Sequence, residues 1–581
     1  MGLLEETLKG KSLADYTNTQ LRLALGAVLY TNTADMWKQY LNQMGYSGDV
    51  SQMLQKYYVD YAVPSNFRNY INAGAAIYSP QQLFQTGAKG AVYDASDLST
   101  LYLDAAGTTA ATVNGLVGLQ LDKSAGLALG AEIKSSGAVG LVGAATAATY
   151  NTSTGAGTAV YVDGSNQSYV QWSGLAAGSW YLLTIQNTGA NPLYVRNGNY
   201  FGAVTLVVSG SETKTLYVPE TSGLVTITSS GGAVSFTVST IKAASGNHRY
   251  QSTTGSKPIL RGTPVGANLV TNGDFASGTG WTTGSFWAIS GGTATKSAGG
   301  VGTLTRSFSD SVAGKVYRVE IDITSITPGA GNLTVRFTGG TSVIGSSYTT
   351  AGKKVEYIVG NGTNNAIAII CNASDTLAVV NSLEVYDVSA GQVQAPYFLQ
   401  YDGVDDFLQT AAVDFTATDK MFVCAGVRKL SDAASGVIAC LGDIASNAGS
   451  FECRSNGGAG QTNYFSVLRG NSSIGAWTQS PYAAPITNVI SYQSDLANTT
   501  GLGTNKQTAR INGASVSSTW DTGNAGVGNF GNYAMYFGRR MGATIPYNGL
   551  ESRTVICGKT LSASELASTE RWVAQGTGVT F

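Results

Sequence analysis

Few residues in this chain are of the types that do covalent chemistry, and fewer are spaced for it. The stretch "YFLQYDGVDDFLQTAAVDF", Tyr397 to Phe415, gathers Asp402, Asp405 and Asp406 in one turn between two strand-like runs. Carboxylates so gathered act as cation ligands or as turn formers that bond the backbone around them. No complementary acidic cluster is visible elsewhere, so the turn role is expected and no metal is assigned. The single histidine, His248, lies in the polar stretch "SGNHRYQSTTGSKP". A Ser-His-Asp or Cys-His arrangement would have to use that one residue, and zinc sites built on several histidines are excluded. No compact acidic motif such as Glu-x-Asp-x-Glu marks a carboxylate pair for glycoside chemistry. The five cysteines (Cys371, Cys424, Cys440, Cys453, Cys557) are odd in number and lack metal-ligand spacing. Most sit in apolar runs such as "MFVCAGV", which predicts buried free thiols in a protein made in a reducing cytosol. The expectation is therefore no enzyme, no cofactor and no metal.

What remains is chemistry of binding. Sugars lay their C–H faces on aromatic rings while Asn and Asp meet their hydroxyls. The candidate ligand-binding rings are Trp287, Trp477, Tyr482 and Trp520. Trp281 is expected to be structural, and every such ring competes with a core role, since burying one removes about 150–250 Å² from water.

Composition narrows the class. Only 12% of the 581 residues are charged, the net charge is −1, and Gly is abundant at 74. A near-neutral chain lacks the basic stripe that nucleic acid demands. No apolar run approaches the roughly 20 residues of a membrane helix, so no membrane insertion is expected. Glu5 and Glu6 stand in "MGLLEETLKGK" where a secretory signal carries positive charge, so export by that route is not expected. Such a length implies roughly three to five domains.

Residues 1–78 read as a small helical domain. Thr33 is a plausible N-cap before Met36, Trp37, Tyr40, Leu41 and Met44 at helical spacing, and Asp49 and Pro64 bracket a second helix. So small and aromatic-rich a core predicts an anchor completed against a partner. Residues 79–131 read as a β-rich connector. From 132 the chain repeats itself: "AGSWYLLTI" at 177–185 matches "AGKVYRVEI" at 313–321, and "ETKTLYV" at 212–218 echoes "GKKVEYIV" at 352–359. Two sandwich modules follow, 132–245 and 266–389, separated by a linker at 246–265, with a last domain at 390–581. Ser562 and Glu565 form an S-x-x-E capping box for a final helix, whose Trp572 should pack on the sandwich. The fold class is mainly β: tandem jelly-roll sandwiches, then another sandwich, behind a small helical domain.

The opening of the second module, "NLVTNGDFASGTGW" at 268–281, resembles that of jelly-roll carbohydrate-binding modules. That resemblance implies a structural calcium held by acidic residues at two places, which are Ala276 and Asn381 here. The first module has only "AEIKSSGAVGLVG" as a degenerate counterpart, and its ligand-binding prospects are correspondingly poorer. The "YDGVDD" strand and the "YNGLESRTVICGKTLSASEL" run of 390–581 resemble the laminin-G-like, concanavalin A-type sandwich. Finally, "YDASDLSTLYLDAAGTT", "VGLQLDKSAGLALG", "GNHRYQSTTGSKPIL" and "VDFTATDKMFVCAGVRKLSD" resemble a recurrent set in virion proteins of tailed bacteriophages. The resemblance implies a tail fibre or similar appendage in the virion, synthesised in the host cytoplasm. It would be a homo-oligomer, commonly a trimer, joined to other virion proteins through residues 1–78 and meeting host-surface polysaccharide with its C-terminal sandwiches. The alternative is a purely structural neck, collar or capsid fibre or decoration protein.

Overall fold

Alternation writes most of the strands. In Val316–Thr327 the inward Tyr317, Val319, Ile321 and Ile323 are buried, while Arg318, Glu320 and Asp322 between them face out. The computed structural model describes residues 78–581, apart from 145–147, 164, 177, 220–221, 308–310, 330, 375, 479–480, 499–505 and 521–525. The helical anchor read over residues 1–78 therefore lies, but for its last residue, outside the described residues. Met1–Gln82 and Leu83–Phe581 are separate units, and every strand below belongs to the second. The described chain is mainly β, arranged as several sandwich sheets.

The C-terminal sandwich has an eight-stranded and a ten-stranded sheet among the described residues. Their strands come from more of the chain than 390–581. Gly90–Asp94 pairs antiparallel with Asn548–Cys557, and Ile259–Pro264 pairs with Val393–Asp402, all in the first sheet. Leu101–Tyr102, Leu119–Gln120 and Arg249–Tyr250 form one end of the second sheet and join it to Leu408–Asp414. The stretches expected as connector (79–131) and linker (246–265) thus carry strands of this sandwich. The reason is chemical. Arg249 is 0% exposed because a buried ion pair receives it, and a two-residue strand is too short to show alternation.

Each module is an excursion from one hairpin of that sandwich. Leu119–Gln120 and Arg249–Tyr250 are paired neighbours, and the first module is the chain between them. Ile259–Pro264 and Val393–Asp402 bracket the second module in the same way. The repeat seen in the sequence becomes a shared topology. In the first module Trp180–Asn187 lies between Thr213–Pro219 and Gly232–Ala244, and in the second Val316–Thr327 lies between Gly352–Val359 and Leu377–Asp387.

Both modules are packed down onto their mounts. Trp180, Leu119, Leu121 and Ala244 form one apolar cluster at the first mount, with Tyr217 and Tyr250 against it. At the second, Val355 packs on Phe398, Leu430 and Leu550, and the Arg261 guanidinium lies 3.8 Å over the Tyr357 ring. The helix Ala563–Gln575 covers the first sheet. Its capping box is formed by Ser562 and Glu565, and Trp572 is buried beneath the Arg553 guanidinium at 4.4 Å.

Candidate functional site

The acidic turn is held by its own carboxylates. Asp402 Oδ1 accepts the N–H groups of Val404 (2.7 Å) and Asp405 (3.2 Å), and the Asp402 N–H is donated to Asp406 Oδ2 (3.1 Å). Asp405 Oδ2 accepts the Ser256 hydroxyl at 2.8 Å, fastening the turn to the strand-bearing 246–265 stretch. Gly403 has a φ of +78° and faces Asn548 so closely that a Cβ would meet it at 2.8 Å. The three carboxylates offer oxygens within 4.8 Å of one another. Burial, then the neighbouring Asp402, pushes the Asp406 pKa up to about 8. The corner of the fold accounts for these hydrogen bonds.

His248 is buried, 1% exposed, against the rings of Trp180 and Tyr217 at 5.4 and 5.7 Å. Its Nδ1 accepts the Asp122 N–H at 3.0 Å, so the ring proton of the neutral form sits on Nε2. Burial holds its pKa down at about 3. Beside it, Arg249 spans the two sheets. Its guanidinium lies between the rings of Tyr93 (4.3 Å) and Phe537 (4.4 Å). Nη1 is donated to both Glu551 oxygens at 2.8 and 3.0 Å, while Nε and Nη2 are donated to Gln120 Oε1. Tyr401 completes the carboxylate with a 2.8 Å bond to Glu551 Oε2. Every partner is internal, so this network holds the sandwich together and presents nothing to a ligand.

The candidate rings separate. Trp287 is 6% exposed and belongs to the core of the second module with Trp281, whose Nε1–H is donated to Asn272 O at 2.9 Å. Trp287 is therefore a core residue and no sugar platform: its strand turns it inward against the facing sheet. Trp477 and Trp520 lie on neighbouring strands, Ser473–Thr478 and Ser518–Trp520, at the end of the ten-stranded sheet. Their backbone register sets Trp477 opposite Thr519, and Trp520 opposite Ala476. Tyr482 is half-buried against the main core, its ring 5.6 Å from Tyr464. The calcium implied for the second module finds residues that do not fit it. Ala276 offers no side-chain oxygen, and the Asn381 amide is donated to Asp322 Oδ2 at 3.2 Å.

The open ring cluster lies on the first module, where the sequence promised least. Four strands run side by side: Ala203–Val208, Leu193–Asn197, Leu224–Ser229 and Asn166–Ser173. Val170, Trp172, Leu193, Val195, Val225 and Ile227 fill the core behind them. Tyr169, Tyr194 and Arg196, at alternate positions, stand on the opposite face. The loop "GNYFG", Gly198 to Gly202, folds across that face. Thr226 Oγ1 is donated to Gly198 O at 2.6 Å, and the Asn199 side chain accepts the Phe201 N–H at 2.9 Å. The fold-back stacks Tyr200 on Tyr169, with centroids 5.0 Å apart and planes 22° apart. Tyr169 reaches that position over Gly140, where any Cβ would come within 2.2 Å of its ring. Phe201 follows at 4.4 Å from Tyr200 and is 63% exposed. A signal was available in the sequence: two aromatic residues between Asn and Gly in a hairpin loop have no core to fill.

No protein-family model matches the chain, and no curated protein matches it. Among solved structures it is similar to the CBM40 of the Ruminococcus gnavus IT-sialidase, with 14% identity, TM-score 0.21, and 28% of this chain and 97% of that chain covered. It is similar to a heptameric SAP-like pentraxin from Limulus polyphemus, with 10% identity, TM-score 0.23, and 29% and 79% covered. It is also similar to a fucolectin from striped bass (Morone saxatilis) serum, with 10% identity, TM-score 0.16, and 42% and 85% covered. Likenesses this slight leave the ligand to be argued from this chain's own side chains.

Proposed function

We propose that this chain is a glycan-binding appendage protein of a tailed-bacteriophage particle, carried on the virion and acting without catalysis. In this reading residues 1–78 join it to other virion proteins as a homo-oligomer, a trimer by resemblance, and its sandwiches meet host-surface polysaccharide. The phage assignment rests on the sequence resemblance. The binding assignment is carried by one observation, the Tyr169–Tyr200–Phe201 cluster standing open on a sheet face. An aromatic ring left in water forfeits the burial it is suited to, and a sugar's C–H face restores contact without requiring a deep cavity. The strands bearing Trp477 and Trp520 are the second candidate surface, nearer the C-terminus.

A single such site binds weakly, at about millimolar Kd or roughly −4 kcal/mol. Linking copies raises avidity by about 10²–10⁴, so oligomerisation belongs to the mechanism. The test uses the full-length chain on immobilised host-surface polysaccharide and a glycan array. Residues 396–581 alone are unsuitable, because they lack five strands of their own sandwich. Phe201→Ala and Tyr200→Ala, with unchanged melting temperature, are expected to weaken capture at least about tenfold per site. Trp477→Ala and Trp520→Ala report on the second surface. An oligomer that captures no glycan at all would leave the structural neck, collar or capsid appendage in its place.

A further inference from the structure

We infer that the open face of the first module takes an acidic sugar, one whose carboxylate or sulfate is received by Arg196. This rests on the glycan-binding reading and names the class of ligand for that same surface. Arg196 is partly buried and firmly held. Its Nε is donated to Thr228 Oγ1 at 2.9 Å, its Nη1 to Gly202 O at 2.7 Å, and its guanidinium lies 5.1 Å over the Tyr194 ring. Among the described residues nothing accepts from Nη2.

The cation also lacks a counter-ion among the described residues. No carboxylate among them pairs with it, and its electrostatic neighbours are the phenols of Tyr194 and Tyr161. Elsewhere in the same chain Arg510 is met by Glu570 and Arg540 by Glu452, while Arg261 has the amides of Gln400 and Asn114 and the Tyr357 ring. Desolvating a guanidinium without an anion is costly, and burial draws the Arg196 pKa down. A fixed, planar donor edge with no partner among the described residues suits a planar or tetrahedral anion from outside. Gly202, which anchors Nη1, directly follows Phe201. The exposed ring and the cation therefore share one corner, so a single sugar residue can lay its C–H face on the ring and turn its anionic group to the guanidinium.

The experiment measures binding of the full-length chain to polygalacturonate, to its fully methyl-esterified form, to dextran sulfate and to dextran, at several salt concentrations. The acid or sulfated polymer is expected to bind roughly tenfold or more tighter than its neutral counterpart, with the preference shrinking as salt rises. The two charged arms distinguish carboxylate from sulfate. Arg196→Gln should erase the preference for the charged polymer, and Phe201→Ala should weaken binding of both forms. Arg196→Lys, which keeps the charge and the loop, should retain part of the preference. Equal binding of charged and neutral forms, or a preference that survives Arg196→Gln, overturns the inference and leaves the glycan reading standing. Absence of binding to every polymer overturns both. A fall in oligomer mass on Phe201→Ala, measured by light scattering, would assign the face to a second copy of this chain and overturn the inference as well.

Discussion

Arg249 and Arg196 occupy two regions built from similar parts. Each guanidinium lies over a tyrosine ring, at 4.3 and 5.1 Å, and each donates to neighbouring oxygens. Arg249 is enclosed between two sheets and closes on both oxygens of Glu551, whereas Arg196 stands on an outer face with no anion among the described residues. The counter-ion makes the difference. Where a carboxylate meets it, the arginine is a tie between distant segments; the other arginine is proposed to take its anion from outside.

The largest effect should come from removing the tie's surroundings. A 390–581 fragment loses Gly90–Asp94, Leu101–Tyr102, Leu119–Gln120, Arg249–Tyr250 and Ile259–Pro264, and it buries Glu551 unpaired. It should show no cooperative thermal transition by circular dichroism; a melt as sharp and as high as that of the full chain would break the picture of a shared sandwich. Next, Glu551→Ala leaves Arg249 charged and buried, and should cost about 3–5 kcal/mol in chemical denaturation, with Arg249→Met in the same chain recovering much of it. Arg196→Gln removes no ion pair and should change stability by only about 0.5–1 kcal/mol, its two hydrogen bonds being partly open to water. A loss as large as that of Glu551→Ala would erase the contrast between the two arginines.

Effects that depend on pH follow from two other buried groups, with opposite signs. His248 has a lowered pKa, so its contribution is complete above its ordinary value of 6.5 and is lost as pH falls toward about 3. Asp406 has a raised pKa, so its contribution is complete below its ordinary value of 3.8 and is lost as pH rises through about 8. Asp406→Asn should accordingly stabilise the chain by about 1–2 kcal/mol at pH 9 and change little at pH 4, read from urea denaturation at both pH values. Equal effects at the two pH values would show that Asp406 does not titrate in this range.

Much of the fold was legible because it follows from local rules. Alternation marked the long strands, the S-x-x-E box marked the last helix, and the repeat marked two modules with one arrangement of three strands. The free thiols were legible too, and all five cysteines are buried and unbridged. The mounting of the modules was not legible. His248 and Arg249 look like solvated linker residues because what buries them lies far away; Glu551 is 302 positions from Arg249. The candidate rings divide for the same reason. Trp287 and Phe201 are both aromatic residues beside turns, and only the facing sheet decides that the first is enclosed. The Tyr200–Tyr169 stack depends on a loop crossing a neighbouring strand, which no local pattern encodes.

Mounting each module on a hairpin has a consequence in time. At about 5–20 residues per second of synthesis, Arg249 is made roughly 15–60 s before its partner, 302 positions later, exists. Gly90–Asp94 waits longer still for Asn548–Cys557. Both modules can close on the nascent chain in that interval, while the C-terminal sandwich must hold five strands in reserve. The sandwich that carries the modules is thus finished after them. Its final strand closes a frame around parts already folded.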